Sequence, residues 1–143
     1  MVPLMENSIF SYPSLLSVEV RLCQFFSTNH EQYLTLRDGY CRTDSNDHGV
    51  HVVCATMTKN FLKFTKAQGN DLSTKRGSFP GLNPGDRWCL CATRWREAMV
   101  VGSAPLVNIK ATHQAALKIN TVEELMVNQV TSQHIIDLRK NEL

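Results

Sequence analysis

Apolar and polar positions alternate over Ser17 to Cys23, where Val18, Val20 and Leu22 face away from Glu19, Arg21 and Cys23. A period of two predicts a half-buried strand. Tyr33 to Leu36 reads as a second short strand, and Asp38-Gly39 after it reads as a tight turn. Val50 to Ala55 is nearly all apolar and β-branched, which predicts a buried strand. Thr56 or Thr58 caps the helix that follows. Phe61, Leu62 and Thr65 share one face of that helix, and Gly69 ends it by supplying a left-handed residue. Gln68 to Gly85 has no period and holds four glycines and two prolines. A loop of that length inside a small domain is usually functional or mobile.

The pattern resumes at Asp86. Trp88, Leu90 and Ala92 take one face of a second buried strand, and Arg87, Cys89 and Cys91 take the other. A helix over about 93–101 turns Trp95, Ala98 and Met99 inward and stops at Gly102. Leu106 to Ala111 is extended. Thr112 caps a short helical piece carrying Ala115, Ala116 and Leu117. Thr121 and Glu124 form a capping box for a helix of Val122, Leu125 and Met126, and Ser132 to Leu138 is a final helix.

Three junctions share one local grammar: Cys54-Ala55-Thr56, Cys91-Ala92-Thr93 and Ala111-Thr112 each end an apolar run and open a helix. If those runs are neighbouring strands, three carboxyl ends and three helix amino ends meet on one sheet edge, where ligands and anions bind in open α/β sheets. The plainer account is that Ala-Thr is a good strand-to-helix junction. On either account the fold class is α/β or α+β: a small mixed sheet with short helices packed on it.

Composition narrows the function. The chain has 143 residues, enough for one domain with its own core. Lys plus Arg is 15 against 13 Asp plus Glu, a net charge of +2. Without a concentrated basic face, nucleic acid is not an expected partner. No apolar run reaches a membrane span and no secretory signal is visible, so the expected location is cytoplasmic, with five free, reduced cysteines.

The candidate chemistry gathers between 69 and 113. Cys89-x-Cys91 places two sulfurs on one side of a strand, about 7 Å apart, which suits a shared metal better than a disulfide. A zinc site would need further ligands from Cys41, Cys54, His48, His51 or His113, and the spacing does not demand it. Cys54, Cys89, Cys91 and His113 are the weak metal candidates beside the alternative of buried core thiols. Asp44-x-Asn46-x-His48 superficially resembles a calcium loop but lacks the closing Glu at position twelve, where Ala55 stands. His51 alternates onto the face opposite Cys54 and reads as a plain sheet residue. Arg94 and Arg96 lie in a helix first turn, where a cation opposes the dipole and a bound anion relieves it. Arg87 shares a face with both thiols. Cys91 and His113 are the candidate reactive pair, and Asn70, Asp71, Asp86, Arg87 and Arg94 the candidate ligand-binding groups.

These residues also carry a resemblance. Arg37-Asp38-Gly39-Tyr40-Cys41, Gly49-Val50-His51-Val52-Val53-Cys54-Ala55, Gly69-Asn70-Asp71-Leu72-Ser73-Thr74, Phe79-Pro80-Gly81-Leu82, Pro84-Gly85-Asp86-Arg87-Trp88-Cys89-Leu90-Cys91-Ala92, Arg94-Trp95 and Ala111-Thr112-His113 occur in the order found in domain-of-unknown-function family 2237. The sequence resembles that family over about residues 37–126. The resemblance implies a single small domain and no particular reaction or cofactor. It divides the chain into an arm (1–36) with one or two strands, the core, and a helical extension (127–143). The family's usual Asn-Val-Leu-Gly opening is absent, and Cys23 corresponds to the cysteine after it.

Three function classes follow. The first is binding or turnover of a small anionic metabolite, with Arg94 as clamp. The second is a Cys/His metal site. The third is a structural or interaction module, which expects an exposed apolar patch instead.

Overall fold

The computed structural model describes residue 23 and residues 39–131. The strands expected over Ser17 to Cys23 and Tyr33 to Leu36, the Asp38-Gly39 turn and the helix expected over Ser132 to Leu138 lie wholly or partly outside the described residues. The rest is a three-stranded antiparallel sheet with short helices. Strand β1 (His51–Thr56) lies between β2 (Arg87–Cys91) and β3 (Leu106–Val107). Helix α1 (Lys59–Ala67) follows β1, α2 (Ala92–Val100) follows β2, and α3 (Val122–Val127) closes the described chain. Two 3-10 turns, Ile109–Ala111 and Gln114–Lys118, link β3 to α3.

Alternation along the strands sorts the core into two faces. Ala55 pairs with Trp88 and Val53 with Leu90, and all four join the main apolar cluster with Phe61, Leu62, Trp95 and Ala98 of the helices. Fully burying a side chain such as Phe61 contributes about 3 kcal/mol. Cys54 pairs with Cys89 on the other face, in a second cluster with Cys23, Cys41 and Ala111. Helices thus cover one side of the sheet and cysteines the other.

Helix ends follow local chemistry. Thr58 Oγ1 accepts the Phe61 N–H at 3.1 Å, and Gly69, at φ +87°, turns the chain out of α1. Thr121 and Glu124 form the expected reciprocal capping box. One residue shift separates expectation from structure near 112. His113, not Thr112, caps the second 3-10 turn, its Nδ1 accepting from Ala115 N–H at 3.0 Å. Thr112 is a bridge instead: its hydroxyl accepts from Cys54 N–H at 3.1 Å and donates to the Asn108 carbonyl at 2.9 Å. The extended run expected over Leu106 to Ala111 stops after two residues.

The shared-edge arrangement is overturned. Both neighbours of β1 run antiparallel to it, so Thr56 pairs with Arg87 while His51 pairs with Cys91. The carboxyl ends of β1 and β2 lie at opposite ends of the sheet, and so do the amino ends of α1 and α2.

Candidate functional site

The cysteines correct the expectation of free thiols. Cys23 is bonded to Cys54 and Cys41 to Cys89, with Cα separations of 6.1 and 5.7 Å. All four are at most 3% exposed. Cys91 is the free cysteine, and it is partly exposed. Sequence spacing misled because each disulfide joins the sheet to a segment covering it, not one strand position to the next.

Cys91 stands where β2 becomes α2. It is the residue before the first helical turn, and its side chain caps nothing. Its Sγ is 2.9 Å from Thr93 Oγ1. Across the sheet its partner is His51. Directly opposed residues of antiparallel strands carry their Cβ atoms about 5 Å apart on a common face. That His51 shares the face of Cys91 depends on a register slip: between His51 and Val53 the ladder takes one extra residue on β1. Val52 and Val53 both enter the main core, so the alternation skips a beat and His51 falls on the cysteine side. Strict alternation had placed His51 opposite Cys54.

The turn before β1 fixes the imidazole. Asp47 Oδ1 lies 2.5 Å from His51 Nδ1, Asp47 Oδ2 accepts the His51 backbone N–H at 2.8 Å, and Thr43 Oγ1 donates to Oδ2 at 3.0 Å. The Asp47 side chain is fully buried. Burial raises its carboxyl pKa, but the His51 side chain and backbone, with Thr43, outweigh that and hold it below the ordinary value. The ring lies over Gly49, where a Cβ would fall on Cε1 and 2.8 Å from Nε2. Val50 sits at φ +51°, a left-handed conformation rare for a β-branched residue. Its carbonyl accepts both Val52 N–H and Ala92 N–H at 3.0 Å. Such a residue stores about 1–3 kcal/mol of strain, held here by bonds to the start of α2.

The remaining sequence candidates are dispersed. Asp71 Oδ1 accepts from Ser73 N, Ser73 Oγ and Thr74 N within its own turn. The Thr74 side-chain bond, then those of Ser73, hold its carboxyl down to about 2. Arg76 donates to the Asp71 carbonyl. Asn70 Nδ2 donates to Thr65 Oγ1 at 2.9 Å. Asp86 Oδ2 accepts Asn83 N–H at 2.7 Å in the turn that enters β2. Five residue steps along the strand separate it from Cys91, about 17 Å. Arg94 Nη1 donates to the Gln68 carbonyl at 3.1 Å and to Glu97 at 3.2 Å, tying α2 to the end of α1. Arg87 lies on the cysteine face opposite Thr56. His113 donates its backbone N–H to the Val52 carbonyl at 3.0 Å. Together, Cys91 and His51 are cross-strand neighbours and His51 is bonded to Asp47; Asn70, Asp71, Asp86 and Arg94 serve local turns and helix contacts elsewhere.

Asp47 was not among the sequence candidates, and His51 was there only as a plain sheet residue or a spare zinc ligand. The available signal was Asp-x3-His across a glycine just before a strand. A shallow hollow is lined by Val107, Asn108, Lys110, Ala111, Gln129 and Val130, none of them a sequence candidate. Val100, Val101, Met126 and Val127 are exposed at the ends of α2 and α3. No helix among the described residues is long and apolar enough to cross a membrane.

No curated protein matches the chain. A family profile does, over residues 20–129, which takes in Cys23 and both disulfides and reaches further toward the amino terminus than the resemblance over 37–126. The chain belongs to the family described as uncharacterized protein conserved in bacteria, domain of unknown function 2237.

Proposed function

We propose that the protein uses Cys91 as a nucleophile toward a small activated acyl compound, with His51 as its base and Asp47 as the group that orients His51. The observation that carries this reading is the cross-strand pairing of Cys91 with a histidine whose Nδ1 is held by a buried carboxylate. Nucleophile, base and orienting group in that order are the minimum for covalent catalysis. Asp47 on Nδ1 fixes the tautomer and ring plane, as the carboxylate does in serine and cysteine hydrolases.

The position of Cys91 at the strand-to-helix junction supports the same reading. The first amides of α2 and its dipole favour negative charge where an acyl oxygen would gather it. In the first half-reaction the thiol proton passes to His51, a carbon–sulfur bond forms at the carbonyl, and the carbon–leaving-group bond breaks as the leaving group takes that proton. Water then attacks the thioester, His51 receives its proton, and the carboxylic acid leaves as the thiol is restored. Arg94 is turned toward Gln68 and Glu97, so the anionic metabolite reading that relied on it as a clamp has less support than acyl chemistry at Cys91.

The test is p-nitrophenyl acetate with the disulfides intact. Wild type releases a burst of p-nitrophenol and carries one acetyl group, located on Cys91 by mass spectrometry. His51→Gln slows acylation by about 100-fold, the usual weight of a general base. Equal acylation rates in wild type and His51→Gln would sink the proposal.

A further inference from the structure

The second cluster of cysteines is independent of Cys91 and has the composition of a soft-metal site. The sulfurs of Cys23, Cys41 and Cys54 all lie within 4.8 Å of one another. Cys89, bonded to Cys41, is the fourth cysteine of the same buried cluster. Cys54 and Cys89 are directly paired on adjacent strands, so the sheet itself sets two of the four positions. Each of the four is buried.

We infer that, once both disulfides are reduced, Cys23, Cys41, Cys54 and Cys89 form a buried four-thiolate site for zinc or a similarly soft divalent cation. Zinc–sulfur bonds of about 2.3 Å give a tetrahedron with edges of about 3.8 Å, so once reduced each formerly bonded pair opens by roughly 2 Å, about 1 Å per sulfur, and the Cys41 sulfur closes on Cys23 and Cys54 by about 1 Å at most. The donor set is right for the metal: thiolates are soft ligands, and the metal-capable group found among the described residues is made of cysteines. Two thiolates balance the charge of a divalent cation and two remain in excess. Arg87 lies on the same face of β2 as Cys89.

The two states exclude each other, because a sulfur in a disulfide has no thiolate lone pair to give. Reduction by a dithiol adds four electrons and four protons in all, and metal binding then releases those four protons. Oxidation reverses it: two molecules of hydrogen peroxide take four electrons and four protons to give four waters, and the four thiolates become two disulfides with the cation set free. The site would therefore hold metal under reducing conditions and cross-links under oxidising ones, with the same sheet face kept filled in both.

The experiment uses the full-length chain, reduced anaerobically with a phosphine and titrated with cobalt(II) as a spectroscopic stand-in, then with zinc. Expected are one cobalt per chain, the visible bands of tetrahedral thiolate coordination, and displacement of cobalt by zinc. Peroxide then releases the zinc, read with a colorimetric chelator. Cys91→Ser keeps the full stoichiometry, which separates this site from the acyl chemistry. Cys54→Ser loses at least half of the bound cobalt or binds it about 100-fold more weakly. Should that variant fail to fold, the wild-type spectrum still decides: cobalt bound without thiolate charge-transfer bands, or no cobalt bound by the reduced chain, overturns the inference.

Discussion

Both carboxylate oxygens of Asp47 are directed at His51, one at the ring nitrogen at 2.5 Å and one at the backbone N–H at 2.8 Å. A single buried side chain thus fixes the backbone entry to β1 and the plane of the imidazole together. Replacing it by Asn keeps the shape but removes the charge that both bonds use. Asp47→Asn should cost about 2 kcal/mol in urea denaturation and slow Cys91 acylation. A variant with full stability and unchanged acylation would show that the carboxylate does neither.

The same carboxylate gives a pH dependence of known sign. Its pKa in the folded chain lies below the ordinary 3.8, so the unfolded chain takes up the proton first as pH falls. Its stabilisation is complete above the unfolded value and disappears as pH drops through the folded one. The urea midpoint should fall as pH is lowered below about 4, and Asp47→Asn should flatten that part of the profile. By the same rule Asp71, held at about 2, also loses its contribution as pH falls below about 4, so the share of Asp47 is the difference between wild type and Asp47→Asn.

Gly49 tests position without touching chemistry. A methyl there would occupy the space of the His51 ring. Gly49→Ala should push the imidazole away from Cys91 and lower the acylation rate about 10- to 100-fold, as misplacing a catalytic group does. Stability should fall less than in Asp47→Asn, because the ring is partly exposed and has somewhere to go. Unaltered acylation would mean that the ring is not placed by this contact.

Thr112 is a buried hydroxyl with one bond accepted and one donated. Thr112→Val preserves volume and strands the Cys54 N–H in the interior. Chemical denaturation should show a loss of about 1–3 kcal/mol. Thr112→Ser, which keeps the hydroxyl, should recover most of it.

Thr121→Ala removes the hydroxyl that accepts Glu124 N–H at 3.1 Å. The Thr121 N–H is the main cause of the lowered Glu124 pKa, with Arg96 adding to it at 2.7 Å. Thermal melts should fall by the equivalent of about 1 kcal/mol. Glu124→Gln should lose less, since an amide oxygen still accepts from Thr121.

That capping box was legible in the letters because everything it needs lies within four residues. So were Thr58, Gly69 and the two faces of β2, which rest on local bonds and a period of two. The meeting of Cys91 with His51 was not, since it depends on an antiparallel partner and on one extra residue at Val52. His51 read by strict alternation lands on the wrong side of the sheet. Cysteine pairing was equally hidden, because five cysteines offer about fifteen ways to form two disulfides and sequence alone does not rank them. Arg94 read as an anion clamp from the helix dipole, but the nearby Gln68 carbonyl and Glu97 answer that cation from within the fold.

In chain order the bonded cysteines run 23, 41, 54, 89, with the first joined to the third and the second to the fourth. The two loops interlock. The shortest closure, 41 with 54, is not used, although a floppy chain would make it most readily because small rings cost least entropy. A polypeptide oxidised in denaturant should therefore fill with wrong cross-links, while one that has laid β1 against β2 beforehand presents Cys54 and Cys89 side by side on one face, where their proper mates dock. Conformation has to precede covalency here, and the assembled strands act as the template on which the bonds are sorted.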